Sequence, residues 1–216
     1  MELKEQMYIT EGWFDHFPLG QENHGRRHWL DAAEMEFGGD EDEVTYYFNE
    51  YRYRGQIIPS YGTPASFGCS NTMGYGVNKP YPERIQFANL GISGMSNDGI
   101  ARLAYLYCEH FEPPVITVMW TYKNRREHVT EDGVVCKFRN QKNMERWMDL
   151  YTEIQNPKLD EYNYIKNKIF LQNYCENKKI KLIELEPINN DRGARDGCHP
   201  SSNWHTNIAA EILSKL

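Results

Sequence analysis

The sequence predicts an α/β fold in which a central parallel sheet lies between two layers of helices. From about residue 62 onward, apolar runs of strand length alternate with amphipathic segments of helix length. The run at residues 115–120 is almost continuously apolar, as in parallel strands that are buried on both faces. Near the C-terminus, large apolar side chains recur every four residues, which predicts an amphipathic helix carrying Trp204, Ile208, Ile212 and Leu216.

The individual elements follow one another in a regular order. Strands are predicted at residues 65–67, 85–90, 115–120 and 180–185. A helix is predicted after the second of these strands. Ser96 or Asn97 can cap its start, and it ends before Pro113. Its apolar side chains are spaced as on one helical face, at Ile100, Leu103, Ala104 and Tyr107. Two further helices are predicted at residues 140–155 and 159–178.

Residues 1–60 differ in composition from the rest of the chain. They carry 13 acidic and 5 basic side chains, whereas residues 61–216 are nearly balanced. We interpret residues 1–60 as an N-terminal extension, with one strand at residues 44–48, and residues 61–216 as the main domain. The extension holds too many aromatics to leave in water, so we expect it to pack on the main domain or on a neighbouring subunit of a homo-oligomer or larger assembly.

Composition and charge exclude several classes of protein. No run of about 18 apolar residues occurs, so no membrane span is predicted. The net charge is −7 and no basic stripe is present, which argues against nucleic acid as a partner. The five cysteines are widely spaced and are expected to be free thiols, and His16, His24 and His28 lack metal-site spacing. We therefore expect no metal and no cofactor.

Two short stretches contain residue types used in nucleophilic catalysis. Ser70 lies in Phe-Gly-Cys-Ser-Asn-Thr, directly after the first predicted strand, where a sheet exposes its ligand-binding edge. An ordinary turn with Ser70 as a helix cap is the alternative. Asp196 and His199 lie three residues apart in Asp-Gly-Cys-His-Pro, so the carboxylate can orient the imidazole as a general base. A capped loop with a surface histidine is the alternative there.

Two further turns could supply hydrogen-bond donors to an oxyanion. Gly94 lies in Asn-Leu-Gly-Ile-Ser-Gly-Met-Ser, where a strand ends and a helix opens. Asn124 lies in Trp-Thr-Tyr-Lys-Asn-Arg-Arg-Glu, directly after the apolar strand at residues 115–120. These stretches occur along the chain in the order serine, glycine, asparagine and aspartate with histidine.

In this order and context the sequence resembles the SGNH (GDSL-type) hydrolase family over roughly residues 62–216. Gly-Cys-Ser-Asn-Thr is similar to the first block of that family, and Asp-Gly-Cys-His-Pro is similar to its last block. The resemblance implies a flavodoxin-like sheet and a serine esterase that hydrolyses acyl or acetyl esters, including esters of carbohydrates. It also implies the triad Ser70, His199 and Asp196, and an oxyanion hole formed by the Ser70 and Gly94 amides and the Asn124 side chain.

The sequence departs from the family pattern at two places. The aspartate of the first block is replaced by Cys69, and the Gly-x-Asn-Asp of the third block is absent around Asn124. The Trp-Thr-x-x-x-Arg-x-Glu pattern is similar to that of small members encoded by phage or marine genomes, in which Arg125 or Glu127 could matter as much as Asn124.

Two alternatives to a serine esterase remain open at this stage. One is an inactive SGNH-like module used for binding or assembly, for example in a virion. The other places the nucleophile on Cys69 or Cys198, each of which adjoins a residue of the proposed triad. No secretory signal is visible in the acidic N-terminal stretch, which favours a cytoplasmic or virion-associated protein, unless the chain is a mature form.

Overall fold

The centre of the molecule is a sheet of four parallel strands. The computed structural model describes residues 22–24, 44–47, 49, 51, 53–129, 135–138, 156–186, 193–194 and 199–216. Its strands are β1 (Glu22–His24), β2 (Thr45–Tyr47), β3 (Ala65–Gly68), β4 (Ala88–Gly91), β5 (Val115–Met119), β6 (Arg126–Val129), β7 (Val135–Phe138) and β8 (Lys181–Leu185). The parallel sheet has the order β4-β3-β5-β8, and two antiparallel ribbons pair β1 with β2 and β6 with β7.

Five helices are described along the chain. They are α1 (Ser70–Met73), α2 (Tyr81–Arg84), α3 (Asn97–Phe111), α4 (Pro157–Lys178) and α5 (Ser202–Lys215). Side-chain caps begin the three long helices, because the oxygens of Ser96, Asn156 and Ser201 each accept a hydrogen bond from a backbone N–H of the first turn. In the described residues, no helix is both long and apolar enough to cross a membrane.

The sheet separates two hydrophobic clusters. Side chains alternate across a strand, so Ile116 and Val118 of β5 face the cluster that contains residues of α3 and α4. Val115 and Met119 of the same strand face the cluster formed with α2 and α5. Helices therefore pack on both faces of the sheet, which is consistent with the predicted three-layer α/β/α architecture.

Most predicted elements agree with the structure to within two residues, but one strand begins in a different place. The predicted strand at 85–90 is wrong at its start, because residues 81–84 form α2 and the strand begins at Ala88. Gln86 has a φ of 59°, and the Phe87 N–H donates to the Pro82 carbonyl, so a tight turn occupies the positions before the strand. The predicted helix at 140–155 lies outside the described residues.

The described part of residues 1–60 packs against the main domain. Val44 and Tyr46 are buried in a cluster with Met73 and Tyr75. Tyr53 is buried in the cluster on the α3 and α4 face of the sheet. Deep burial of these aromatic side chains removes apolar area from water. The domain boundary after residue 60 stays a prediction.

The helix that carries Ser70 lies in close contact with the sheet. An added Cβ at Gly91 of β4 would lie 2.2 Å from the Met73 nitrogen and 2.7 Å from the Thr72 carbonyl carbon. An added Cβ at Gly68 would lie 2.0 Å from the Thr72 Oγ1. These distances are too short for any side chain, so the two glycines set how closely α1 approaches β3 and β4.

We predict that Gly91→Ala destabilises the fold by about 3 kcal/mol, the upper end for overpacking, because backbone atoms of α1 would have to move. Gly62→Ala is the matched control, since a Cβ there meets no atom within 4 Å and only the φ of +75° is unfavourable. That control should lose about 1 kcal/mol. Urea unfolding of both variants measures the difference, and equal losses would contradict the close-packing argument.

Candidate functional site

The order of the strands places a crevice between the C-terminal ends of β3 and β5. After β3 the chain continues to β4 on one side, whereas β5 lies on the other side of β3. In open α/β sheets, ligands bind where neighbouring connections leave in opposite directions in this way. The loops that follow β3, β4, β5 and β8 all leave from this same edge, because the four strands are parallel.

Ser70 lies at this crevice, two residues after β3. It is the first residue of α1, and the preceding residue, Cys69, has an extended backbone conformation. The Ser70 side chain is 7% exposed. No described residue forms a hydrogen bond with its hydroxyl, and the Ser70 amide likewise has no acceptor among the described residues. Neither group is therefore engaged by another described residue.

Cys69 faces away from this position. Its side chain is buried in the hydrophobic cluster on the α3 and α4 face of the sheet, together with Phe67 and Leu90. The thiol is free in the structure. The neighbouring serine and cysteine are thus directed to different environments by the sharp turn between β3 and α1.

A buried network of hydroxyl groups lies beneath α1. The Thr72 and Tyr81 hydroxyls are 3.0 Å apart, and the Thr117 hydroxyl donates to the Ser66 hydroxyl at 2.7 Å. Burial raises the pKa of Tyr81, which keeps this phenol neutral and able to donate. The Tyr81 backbone N–H donates to His205 Nδ1 at 3.2 Å, which joins this network to α5.

The loop after α1 connects Ser70 with His199. The Tyr75 N–H donates to the Ser70 carbonyl at 3.1 Å, and the Tyr75 ring stacks on the His199 imidazole with 5.0 Å between ring centroids. The Ala194 N–H donates to the His199 carbonyl at 3.0 Å. His199 therefore lies beside the loop that follows α1, whereas Asp196 lies outside the described residues.

Arg54 binds the backbone of the loop that follows α1. Its side chain is 1% exposed, and its guanidinium donates to the carbonyl oxygens of Met73, Gly74, Val77 and Asn78. It also lies 3.7 Å from Glu83 and over the Tyr46 ring, at 4.5 Å from the ring centroid. Burial raises the pKa of Glu83, and the charges of Arg54 and Lys79 offset part of this increase.

Gly94 lies in a tight turn after β4. The Met95 N–H donates to the Ile92 carbonyl at 3.0 Å, and Gly94 has a φ of 71°, a conformation that favours glycine. Its amide has no acceptor among the described residues. The structure thus brings the turn with Gly94 to the same edge as Ser70, although its role as an oxyanion donor stays a prediction.

Asn124 lies in a turn after β5 and is exposed. The Arg125 N–H donates to the Tyr122 carbonyl at 3.1 Å and closes this turn. The Arg125 side chain donates back to the Thr121 hydroxyl at 2.9 Å. The turn therefore has a defined backbone, and Asn124 is an exposed residue within it.

Asn97 anchors this turn to the start of α3. Its Oδ1 accepts from the Thr121 N–H at 2.9 Å, and its Nδ2 donates to the carbonyls of Thr121 and Tyr122 at 3.2 and 3.3 Å. Asn97, which is 1% exposed, thus both donates to and accepts from the backbone of this turn through its side-chain amide.

Three residues that organise this region were not predicted from the sequence to belong to the site. Asn97 was considered only as a helix cap, although the cap is Ser96. Arg54 and Tyr75 carried no recognisable signal, because their partners are carbonyls and rings brought together by the fold.

Comparison with known proteins adds no family assignment. No protein-family model matches the chain, and no curated protein matches its sequence. Within the described residues, no group of three or more histidine, cysteine, aspartate or glutamate side chains is arranged to hold a metal ion.

We predict that Asn97→Ala destabilises the protein by about 1–3 kcal/mol, because the Thr121 N–H and two carbonyls lose their buried partner. Asn173→Ala, at an exposed position of α4, serves as the control and should change stability by less than about 0.5 kcal/mol. Chemical denaturation of both variants provides the measurement. An Asn97→Ala protein as stable as the control would show that the turn is held by other contacts.

Proposed function

We propose that this chain is a serine ester hydrolase that cleaves small acyl or acetyl esters through an acyl-enzyme. The observation that carries the proposal is the position of Ser70 in the crevice between β3 and β5, with His199 joined to its helix through Tyr75. Nucleophilic catalysis requires the imidazole to accept a hydrogen bond from the serine hydroxyl, so the proposal requires His199, which contacts Tyr75, to reach Ser70 when substrate is bound.

The strand order also supports the proposed fold family. Numbered along the chain, the four parallel strands have the order 2-1-3-4, as in flavodoxin-like sheets. This is the sheet that the resemblance to SGNH hydrolases implies. The fold alone does not determine the reaction, since folds of this kind carry many functions. The proposed chemistry therefore depends on the residues of the site.

In the proposed reaction, His199 accepts the proton of the Ser70 hydroxyl while Oγ attacks the ester carbonyl carbon. The tetrahedral intermediate collapses, the bond to the alcohol oxygen breaks, and His199 returns the proton to the leaving alcohol. Water then attacks the acyl-Ser70 ester with the same histidine as base, which releases the carboxylic acid and regenerates the hydroxyl. Asp196 is proposed to orient the imidazole.

Backbone amides are proposed to stabilise the oxyanion. The Ser70 and Gly94 N–H groups lie in the turns after β3 and β4, and neither has an acceptor among the described residues. Donors that are fixed before the reaction stabilise developing charge without reorganisation. The low exposure of Ser70 favours a small acyl group, because a bulky one would require the surrounding loops to move.

A second candidate function is an inactive module used for binding or assembly. The exposure of Asn124 favours it, because oxyanion donors act in sites from which water is largely excluded. Under this second function, the same crevice would bind a ligand without cleaving it.

We predict that Ser70→Ala abolishes hydrolysis of a short p-nitrophenyl ester, because the variant cannot form the acyl-enzyme. His199→Ala should be nearly as damaging, and the double variant should lose no more than either single one, since the two residues act as a unit. Values of kcat/KM are measured for each variant, with circular dichroism as the check on folding.

Two control variants separate the alternatives. Ser60→Ala changes an exposed serine that precedes β3, at the opposite edge of the sheet, and should keep wild-type activity. Cys69→Ala should also retain activity, because that thiol is buried in the cluster away from Ser70. A folded Ser70→Ala protein with undiminished activity would refute the serine mechanism, and an inactive wild type on all short esters would favour the binding module.

We predict that Asn124→Ala lowers kcat by a factor of about 10²–10³ if substrate draws this side chain into the oxyanion hole. Lys123→Ala is the matched control, because it removes an exposed side chain of the same turn whose ion pair with Glu161 is worth little. Both variants are compared by kcat and KM on the same ester. Equal activities would remove Asn124 from the mechanism and leave the two backbone amides as donors.

A further inference from the structure

Helices α3 and α4 lie side by side in the same direction, and a regular series of contacts joins them. Asp98 near the start of α3 accepts hydrogen bonds from Asn163 and Asn167 of α4 at 2.9 and 3.1 Å. Glu109 near the end of α3 accepts from the Tyr174 hydroxyl at 2.6 Å and lies 2.8 Å from the Lys178 Nζ. The partners are 65 to 69 residues apart at both ends, so the register of the two helices is constant.

This register brings two cysteines face to face. Cys108 and Cys175 are 67 residues apart, in the middle of the range that the flanking contacts define. Their side chains are 2% and 1% exposed, respectively, and belong to the same hydrophobic cluster. Both are free thiols in the structure, and their side chains are close enough for each to change the pKa of the other. A disulfide between them requires their Cα atoms to lie within about 7 Å of each other, and two cysteines at facing positions of packed helices are the pair in this cluster that can meet this requirement.

The interaction between the two thiols changes their pKa values in opposite directions. It raises the pKa of the Cys108 thiol and lowers the pKa of the Cys175 thiol. The thiolate is the form of cysteine that reacts with oxidants and with other sulfur atoms. One proton is thus lost more readily from the pair, and the second is held more firmly.

A cavity borders one thiol of the pair, that of Cys108. It has a volume of about 330 Å³ and is lined by Cys108 and by residues at the C-terminal ends of both helices, among them Glu112, Pro113 and Lys178. A peroxide of a few atoms fits in this space. The dithiol is therefore buried from bulk solvent but lies beside an opening to it.

We propose that Cys108 and Cys175 form a redox-active dithiol that closes to a disulfide when it meets a peroxide, which links α3 to α4. One sulfur attacks a peroxide oxygen, the O–O bond breaks, and a sulfenic acid and one water form when the oxidant is hydrogen peroxide. The other sulfur then attacks the sulfenic sulfur and displaces hydroxide, which leaves as a second water with the remaining thiol proton. The two thiols lose two electrons in total, and the peroxide is reduced to two molecules of water.

The link would constrain the unfolded chain over the segment that contains β5. Closing a loop of this length lowers the entropy of the unfolded state and stabilises the folded one. The site is independent of the proposed esterase, because it lies between α3 and α4 near their C-terminal ends and uses no residue of the triad.

The experiment treats the folded full-length chain with hydrogen peroxide, blocks the remaining thiols with iodoacetamide, and maps the non-reduced peptides by mass spectrometry. We expect a peptide pair joined through Cys108 and Cys175, with a mass loss of two hydrogen atoms that a reductant reverses. The midpoint of thermal unfolding should rise on the order of 10 °C relative to the reduced chain.

The experiment has two kinds of control, which are a third cysteine of the same chain and two cysteine-to-serine variants. Cys69, a buried thiol on another part of the sheet, should remain alkylatable after unfolding and should join no other cysteine. Cys108→Ser and Cys175→Ser should each remove both the link and the thermal shift. A folded wild type in which either thiol stays reduced, takes up oxygen without a link, or pairs with a different cysteine would overturn the proposal.

Discussion

The absence of side chains at Gly68 and Gly91 controls how the rest of the candidate site is built. Backbone and side-chain atoms of α1 occupy the volume in which a Cβ of either glycine would lie. The helix can therefore start directly after β3, which turns Ser70 toward the crevice and leaves Cys69 in the opposite core. A larger residue at either position would displace α1, and the loop with Tyr75 would move with it.

Support for the loop comes from a part of the chain that is distant from the sheet in sequence. Arg54 donates to four carbonyl oxygens of residues 73–78 and is itself enclosed by Tyr46 and Glu83. Burying a guanidinium is costly unless it gains hydrogen bonds, and the carbonyls of this loop accept from both Nη atoms of Arg54, so this segment and the loop stabilise one another's conformation. The region before residue 60 is thus part of the site's scaffold as well as a covering for apolar surface.

The sequence allowed the layers of the fold to be predicted, because apolar periodicity reports burial directly. The strands that contain Phe67, Val118 and Ile183 and the helix that follows Ser96 were predicted within two residues of their observed bounds. The start of β4 was missed, since the apolar side chains of Ile85 and Phe87 pack on α5 from a turn and so imitate a strand. The position of Ser70 at a turn after a strand was accessible from its motif.

Other features of the site could not be read from local patterns. The amide of Asn97 pairs with a backbone that lies 24 residues away, and its sequence context suggested only a helix cap. The stacking of Tyr75 on His199 joins residues from opposite ends of the domain. Such contacts form only where the strand order brings the loops of different parallel strands next to one another.

The separations of these contacts along the chain have a consequence for the order of folding. Ala65 pairs with Ala88, Arg54 reaches carbonyls 19 to 24 residues away, and Asn97 reaches Thr121 over a similar interval. By contrast, β5 pairs with β8 across 66 residues, as in Val115 with Lys181. Ala65 of β3 pairs with Ile116 of β5 across 51 residues. Because the entropy lost on closing a loop increases with its length, the pairing of β3 with β4 closes at the lowest entropic cost in the sheet. We therefore expect β3 and β4 to pair early in folding and β8 to dock late.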